Sequence, residues 1–432
     1  MDESTSPDSP RLGIIISMFP ELHETFILRE LVALEQRGID FEIFSLQFPR
    51  DPITLDEAIR LSTERTHYSP LFTVSTIGAF LRTLLTHPVK LCKAVASVVV
   101  KGRDRPLDAL KNLAVLPVTL HFGEKGRRTG ITHWHGHWAN VPTTACWYLH
   151  KIHGSNWSAA IHGEDIFSPN NFLPYKLDSA KFSVVCSNHF CNHLKTELGL
   201  EAPEKIHLNY HGLDPRVMQH APGKSFKVRS ADDPVALISI GRLVPTKGHD
   251  TVIRACSLLI KKGRKLTLQL IGSGPLQDEL VALADQEGIS EHVTFSGALA
   301  FSEVLESLNN ADMFCLAPRM IPGHPPDGIP NVIAEAMALR IPVISTRVSA
   351  IPELVSDAKT GRLVTVDDVA GFAEAIDGLA RDPAEAERLS QDAALRVAEL
   401  FNQDKNIEEL LALFAQNVPN FDSTPYEKAV MA

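Results

Sequence analysis

The sequence has no apolar run that approaches the roughly 18–20 residues needed to cross a bilayer. Its N-terminal segment, MDESTSPDSP, lacks the basic start and the apolar stretch of a secretory signal. The chain also lacks a basic excess, since its net charge is -10, and a protein of this charge is not expected to bind nucleic acid over a large surface. We therefore expect a cytoplasmic protein that is not integral to a membrane and has no nucleic-acid partner.

Paired cysteines are absent as well. None of the six cysteines forms a C-x-x-C pair, which excludes a zinc knuckle and a thioredoxin-type motif. Thiols scattered over 432 residues indicate small buried apolar side chains in a reducing compartment. We expect no metal site from them.

Short apolar runs alternate with longer amphipathic segments along the whole chain. RLGIIIS and FEIFSL, at 11–17 and 41–46, enclose a segment typical of a helix that ends at Gly38. The alternation resumes after residue 234 with ALISIGR, LTLQLIG, VTFSG, MFCLAP and PVIST, which predicts parallel sheets covered by helices on both faces. Because the polar segment 220–234 is typical of a linker, we expect two doubly wound α/β domains that meet at about residue 220.

The segment 80–128 departs from the acidic character of the chain. It contains ten lysines and arginines against three acids, a local excess of seven positive charges (10 − 3), together with the apolar stretches FLRTLL and VASVVV. Amphipathic surface helices, with lysine stems lying along apolar groups, explain this composition. A face that contacts an anionic membrane explains it equally well, and both interpretations stay open.

The segment DGIPNVIAEAMALRIPVIST, at 327–346, combines a helix start with two acids. Pro330 suits the first position of a helix because it lacks an N–H. The free backbone amides at such a start form an anion site suited to a diphosphate. The predicted anion-binding segment contains Gly328, Ile329 and Asn331. Asp327 and Glu335 place two carboxylates around one ligand; the alternatives are an acid that only stabilises a helix start and an acid on a solvated helix face.

The pattern acid-G-x-P-x-x-x-x-E-A-M-A, followed by P-V-I, resembles the signature of glycosyltransferase family 4, which has the GT-B fold. The resemblance implies two Rossmann-like domains that face a central cleft. By the resemblance, Asp327 contacts the hydroxyl groups of the donor sugar and Glu335 contacts the ribose. The family usually has Glu where Asp327 stands. Arg340 stands where the family often has glycine, at a helix end where a cation is favoured.

The segment 236–250 supports the resemblance, because it predicts a strand, a loop and a helix. A loop at a strand end is where an open α/β sheet binds ligands, and Arg242 and Lys247 in this loop balance the charge of a departing pyrophosphate. Two ordinary loop cations are the alternative, but the spacing G-R-x-x-x-x-K-G matches the family's phosphate loop. Further on, VTFSGAL resembles the segment that borders the nucleobase, with Gly297 and Ala298 nearest to it.

Three histidines of HWHGHW share one face of a predicted strand. They are His133, His135 and His137. A metal site is one interpretation, but no acid or cysteine stands beside them in the sequence, and a polar strand end explains them as well. The stretch resembles the H-x-H-x-H strand of the family's exopolysaccharide transferases, which leads to an element like HGEDIF. By that resemblance His162 faces the donor sugar near its reacting carbon, and Asp165 lies on the acceptor side; a hydrogen-bonded core histidine is the alternative for His162.

The segment 19–30 matches an acceptor-side loop of the same subgroup, which assigns Glu24 and Thr25 to the acceptor or the leaving phosphate. The segment 406–418 resembles the helix that returns to the first domain in this fold. The predicted domains are 1–220 with about 402–432 on the acceptor side, and 221–401 for the nucleotide sugar.

The resemblance implies transfer of a sugar from a UDP- or GDP-linked donor, with retention, to a glycan or lipid-linked oligosaccharide in exopolysaccharide biosynthesis. Metal-dependent sugar transferases hold Mg²⁺ or Mn²⁺ with D-x-D, which the sequence lacks, so we expect neither a metal nor a cofactor. The rivals are a phosphorylase or epimerase of the same fold, a non-catalytic carbohydrate-binding subunit and a nicotinamide-dependent oxidoreductase. The last is disfavoured because Gly272 and Gly274 are followed by Gln277, where a dinucleotide fingerprint has its third glycine.

Overall fold

The computed structural model describes residues 11–21, 24–53, 55–167, 172–219, 234–322, 324 and 327–421, with the backbone alone for Glu164, Asp165, Met218 and Gln219. The chain divides into two compact units. Unit 1 comprises Met1–Gly212 and Gln403–Ala432, and unit 2 comprises Leu213–Asn402. The predicted boundary at 220/221 lies outside the described residues.

Unit 1 is built on parallel strands, each followed by a helix or a short loop. The strands are β1 (Arg11–Met18), β2 (Phe41–Gln47), β3 (Thr66–Tyr68), β4 (Ile131–His137), β5 (Asn156–Ile161), β6 (Ser183–Val185) and β7 (Ile206–Leu208). They form one sheet in the order β3-β2-β1-β4-β5-β6-β7, so β2 and β3 are added on one side of β1 and the strands from β4 onward on the other. β1 is buried over most of its length, because helices cover both faces of a parallel sheet.

The helices of unit 1 connect its strands, and four of them follow one another between β3 and β4. They are α1 (Thr25–Gln36), α2 (Asp56–Glu64), α3 (Val74–Thr86), α4 (Pro88–Lys101), α5 (Pro106–Ala114), α6 (Leu116–Arg128), α7 (Val141–His153), α8 (Gly163–Ile166), α9 (Phe172–Leu177) and α10 (Asn188–Glu197). The predicted helix before Gly38 is confirmed, since α1 ends at Gln36 and Gly38 takes a φ of +72°. The basic segment 80–128 falls on α3 to α6.

Unit 2 repeats the same architecture. Its strands are β8 (Val235–Ile240), β9 (Leu266–Ile271), β10 (Val293–Phe295), β11 (Met313–Cys315), β12 (Val343–Thr346) and β13 (Arg362–Val364). All neighbours are parallel, in the order β10-β9-β8-β11-β12-β13. This is the order of a doubly wound sheet whose switch lies between β8 and β11, so the prediction of two doubly wound domains is confirmed.

One short helix of unit 2 precedes β8, and the others lie between the strands or after the last of them. The helices are α11 (Pro215–Gln219), α12 (His249–Lys261), α13 (Gln277–Glu287), α14 (Phe301–Asn310), α15 (Asn331–Ala338), α16 (Ile351–Leu354), α17 (Val369–Arg381) and α18 (Pro383–Leu400). The final helix, α19 (Gln403–Asn417), belongs to unit 1. Its apolar side chains, among them Leu410 and Phe414, pack into the same core as Leu12 and Phe41.

No disulfide bond joins any two of the six cysteines, all of which lie within the described residues. Four of them are buried, but Cys92 is exposed on α4 and Cys186 is half-buried after β6. The expectation of buried thiols was therefore wrong for these two, because α4 presents an outer face to solvent and a loop at a strand end is not enclosed.

The described residues contain no single helix that is both long and apolar enough to cross a membrane. Helices α3 and α4 together reach the required length and apolar character, but they meet at a bend of 113°.

Candidate functional site

The loops after β8 and β11 meet at the switch of the unit 2 sheet, where an open sheet of this order binds ligands. Gly248, the N-cap of α12, has a φ of +66°, and a Cβ there would overlap the backbone carbonyl of Ala317. Arg319 joins the same two loops: its N–H donates to the Thr246 carbonyl at 3.0 Å and its Nε to the Pro245 carbonyl at 3.1 Å. Its carboxylate partners are Asp250 and Asp367. Glycine and arginine thus fix how closely the loops approach.

The ammonium of Lys247 lies 2.9 Å from Oδ2 of Asp327. Both side chains are largely shielded from solvent, with 12% and 28% of their surfaces exposed. The structure therefore joins the cation predicted for the phosphates to the acid predicted for the sugar. Glu335 is half-buried on α15, one turn after the helix begins.

Among the described residues no side chain caps the start of α15. The backbone N–H groups of Asn331 and Val332 belong to the first turn of the helix and so have no partner inside it. They are the donors that such a helix offers to an anion. Pro330 was predicted at the first helical position, but its ψ of 122° is extended, so it is the N-cap and the helix starts one residue later. At the other end Arg340 adopts a φ of +57°, the left-handed conformation for which glycine is favoured.

The remaining residues predicted for the nucleotide lie on neighbouring loops. Gly272 after β9 has a φ of +138°, and its N–H donates to the carbonyl of Gly297 after β10 at 2.8 Å. Arg242 is exposed, and its guanidinium has no hydrogen bond or ion pair within the part of the chain that the structure describes. The contacts of Gly297 and Ala298 with a nucleobase stay predictions.

His249, which the sequence did not single out, lies buried directly behind the phosphate loop. Its Nδ1 lies 3.0 Å from the hydroxyl of Ser239 on β8. Burial lowers the pKa of His249 to about 4, so the ring is neutral at neutral pH. A Cβ added at Gly241 would lie 3.6 Å from Nε2 of His249, which places this ring against the backbone just before Arg242.

In unit 1, His162 follows β5 and lines a pocket. Its Nδ1 lies 3.0 Å from Nε2 of His211, which follows β7. Phe26 stacks on His211 with ring centroids 4.3 Å apart, and Trp138 packs edge-on against His162 at 4.7 Å. Burial lowers the pKa of His162 well below its ordinary value, and burial together with the charge of Arg29 lowers that of His211 to about 3. The sequence analysis missed His211, Phe26 and Trp138, because no local pattern brings them to His162.

The three histidines of β4 are buried, as one face of a strand requires. The hydroxyl of Ser158 lies 2.8 Å from Nε2 of His133 and 2.7 Å from Nδ1 of His135. Nε2 of His137 lies 3.2 Å from Oε1 of Glu30 on α1. No acid stands beside these histidines along the chain, but the fold brings Glu30 next to His137.

Two groups of potential metal ligands occur in unit 1 among the described residues. One consists of Glu30, His135 and His137, and the other of His162, Cys186 and His211.

Two of the three residues predicted for the acceptor side lie at the start of α1. Glu24 is its N-cap, and the hydroxyl of Thr25 accepts a hydrogen bond from Arg29 at 3.4 Å. The backbone of Asp165 belongs to α8, but its side chain lies outside the described residues. The acceptor roles of all three stay predictions.

The chain is similar to known proteins in sequence and in fold. Residues 222–396 match the family described as glycosyl transferases group 1. The chain is 27% identical over 428 residues to the putative colanic acid biosynthesis glycosyltransferase WcaL of Escherichia coli K12, covering 93% of this chain and 99% of that protein. It is 26% identical over 406 residues to the amylovoran biosynthesis glycosyltransferase AmsK of Erwinia amylovora, covering 91% and 96%.

A crystal structure of HepE from Anabaena in complex with UDP has a similar fold. The TM-score is 0.65 at 16% sequence identity, and the match covers 94% of this chain and 100% of HepE. At this identity the likeness shows the fold, which is GT-B.

Proposed function

We propose that this chain, whose residues 222–396 match glycosyl transferases group 1, is a glycosyltransferase that transfers a sugar from a nucleoside diphosphate donor. The observation that carries the proposal is the placement of Lys247 and Asp327 beside the uncapped start of α15, at the switch of the unit 2 sheet. Backbone amides and a lysine stabilise a departing diphosphate, and a nearby carboxylate accepts hydrogen bonds from a sugar.

The proposed roles follow the residue types. Lys247 and Arg242 bind the diphosphate together with the first amides of α15. Asp327 contacts the hydroxyl groups of the sugar, and Glu335 contacts the ribose. Each preorganised contact to the leaving group lowers the barrier by about 3–4 kcal/mol.

We propose that transfer proceeds with retention and without a metal. The acceptor hydroxyl attacks the anomeric carbon from the face that the diphosphate leaves, the bond to the diphosphate breaks, and a phosphate oxygen takes the proton of the acceptor. This scheme requires no protein nucleophile. The charge that a metal would neutralise is assigned to Lys247, Arg242 and the helix amides, and His162 contacts the sugar near its reacting carbon.

The acceptor is proposed to be a glycan or lipid-linked oligosaccharide of exopolysaccharide biosynthesis. WcaL and AmsK, to which the chain is similar over more than nine-tenths of its length, are named for colanic acid and amylovoran biosynthesis. HepE was crystallised with UDP, which supports a UDP-linked donor; a GDP-linked donor is the alternative.

We propose that unit 1 works at the cytoplasmic surface of a membrane. Helices α3 to α5 expose large apolar side chains, with Val74 91%, Leu85 82% and Leu107 74% exposed. Exposed cations stand among them, including Lys90 and Lys93 on α4. Apolar side chains that enter the interface and lysines that meet anionic headgroups are the two parts of peripheral binding.

The test is a thermal-shift screen over UDP-, GDP- and ADP-linked sugars, followed by product analysis. A donor at one hundred times its Kd stabilises the folded state by about 2.7 kcal/mol. The cognate donor plus a glycan acceptor should give the glycoside and the nucleoside diphosphate, with the anomeric configuration unchanged and with activity preserved in a chelator. Formation of a sugar 1-phosphate from a glycoside and phosphate would identify a phosphorylase instead, and binding of NAD(H) would favour the oxidoreductase.

A further inference from the structure

Three strand ends of unit 1 bring a histidine, a cysteine and a second histidine together. His162 directly follows β5, Cys186 directly follows β6, and His211 comes shortly after β7. These strands are neighbours in a parallel sheet, so their carboxyl ends lie along one edge. The juxtaposition therefore follows from the sheet itself.

The ligand atoms of these residues are close enough to share one ion. One atom from each side chain lies within 4.8 Å of the other two, and Nδ1 of His162 is 3.0 Å from Nε2 of His211. Around a tetrahedral zinc ion, with bonds of about 2.0–2.1 Å to nitrogen and 2.3 Å to sulfur, two nitrogen ligands lie roughly 3.3 Å apart. A small separation of the two rings is enough to admit the ion in place of the proton that they share.

The contacts of the His162 ring are compatible with coordination of an ion. Nε2 of His162 is buried and has no hydrogen-bond partner among the described residues, which leaves that ring held at one nitrogen only.

The pocket also supplies charge and access. All three ligands line it, together with Glu30 and Arg29. The positive charge of Arg29 repels a cation. The negative charges of a Cys186 thiolate and of the Glu30 carboxylate offset the charges of Arg29 and of a divalent ion. The competing group of Glu30, His135 and His137 has no thiol, and His135 already contacts Ser158.

Two imidazoles and a thiolate select a borderline or soft metal such as Zn²⁺ over Mg²⁺, Ca²⁺ or Mn²⁺, which prefer oxygen ligands. Three protein ligands leave a fourth position open. We propose that His162, Cys186 and His211 form a Zn²⁺ site with one open coordination position. The ion is not part of the transfer scheme: it ties up His162 and so inhibits transfer, a consequence that rests on the proposed function.

Metal binding is measured without substrate, so that it stands or falls separately from the transferase activity. The full chain is titrated with Co²⁺ as a spectroscopic probe and then with Zn²⁺ as the competitor. We expect one ion per chain, strong visible bands of four-coordinate cobalt and a thiolate-to-cobalt charge-transfer band in the near ultraviolet. C186S should abolish the charge-transfer band, and both C186S and H211Q should weaken Zn²⁺ binding at least tenfold, whereas C92S should change neither.

A second measurement needs no variant of the site. Zn²⁺ should protect Cys186 in the wild-type chain from alkylation by iodoacetamide, while the exposed Cys92 reacts at the same rate with and without the ion. If Zn²⁺ does not slow the alkylation of Cys186, the proposal is overturned. Zn²⁺ binding that is retained in both C186S and H211Q would also overturn it, because the ion would then lie at Glu30, His135 and His137 or elsewhere.

Discussion

Nζ of Lys247 and Oδ2 of Asp327 lie 2.9 Å apart, although one residue follows β8 and the other follows β11. The pair neutralises two charges that are mostly hidden from solvent, and it occupies the position next to the first turn of α15. In the proposed complex Lys247 contacts the diphosphate and Asp327 contacts the sugar. These contacts with the donor replace the ion pair between the two residues.

Replacing Lys247 with alanine should reduce kcat/KM on the order of 10²–10³-fold, because a cation directed at the leaving group acts mainly in the transition state. Steady-state transfer with the cognate donor measures the effect. Lys261→Ala is the matched control, since this lysine lies on α12 of the same unit and is 58% exposed in an ion pair with Glu287. Retention of activity within a few-fold in Lys247→Ala would exclude the phosphate role.

Gly248→Ala should destabilise unit 2 more than Gly263→Ala. Both glycines have a positive φ, so alanine is strained at each by about 1 kcal/mol. At Gly263 an added Cβ meets nothing within 4 Å, but at Gly248 it overlaps the carbonyl of Ala317. We expect an additional loss of about 1–3 kcal/mol at Gly248, measured by scanning calorimetry of both variants. Equal losses would show that the two loops do not touch as described.

The stability of unit 1 should fall as the pH drops below 6.5. Burial, with a smaller effect of the charge on Lys181, lowers the pKa of His133 to about 3. The folded state therefore keeps this ring neutral while the unfolded state binds a proton below pH 6.5, and the stabilisation present above 6.5 is lost as the pH falls toward 3. Between pH 7.5 and 5 this histidine accounts for a loss of about 2 kcal/mol.

Tryptophan fluorescence reports this unfolding selectively. All four tryptophans lie in unit 1, at 134, 138, 147 and 157. Urea unfolding at the two pH values should show a smaller difference for His133→Gln than for the wild-type chain. An unchanged difference would mean that His133 is as easily protonated in the folded state as in the unfolded one.

The exposed apolar face of α3 to α5 should bind anionic vesicles. Replacing Leu85 and Val89 together with glutamine should lower binding to phosphatidylglycerol-containing vesicles several-fold, because apolar burial in the interface is lost. Leu395→Gln is the control, since Leu395 is 71% exposed on α18 of unit 2. Sedimentation with vesicles measures binding; equal effects of the two changes, or no binding by the wild-type chain, would contradict the membrane role.

Local pattern was sufficient for part of each sheet, since the strands β3, β5, β6, β7 and β13 were not predicted. The predicted strands are all present, and the helix after Pro330 starts one residue from its expected position. Periodic apolar runs report burial directly, because a strand covered on both faces has to be apolar throughout. Motif spacing also located Lys247 and Asp327, since each follows a strand end that the sheet order brings to the switch.

Contacts between distant segments could not be predicted in this way. Glu30 meets His137 because α1 packs over β4, and His211 meets His162 because β7 and β5 end on one edge. Arg319 has no motif around it, and its role as a link between two loops appears only once both loops are folded. Such pairs depend on strand order and helix placement, which no local window of sequence contains.

Calorimetric titration of the cognate nucleoside diphosphate and monophosphate into the wild-type chain and Lys247→Ala tests most directly whether this loop binds the second phosphate. We expect Lys247→Ala to weaken binding of the diphosphate by at least tenfold while it changes binding of the monophosphate much less, and Asp327→Asn to leave both nearly unchanged. Equal weakening of the two nucleotides, or no weakening of either, would contradict the account.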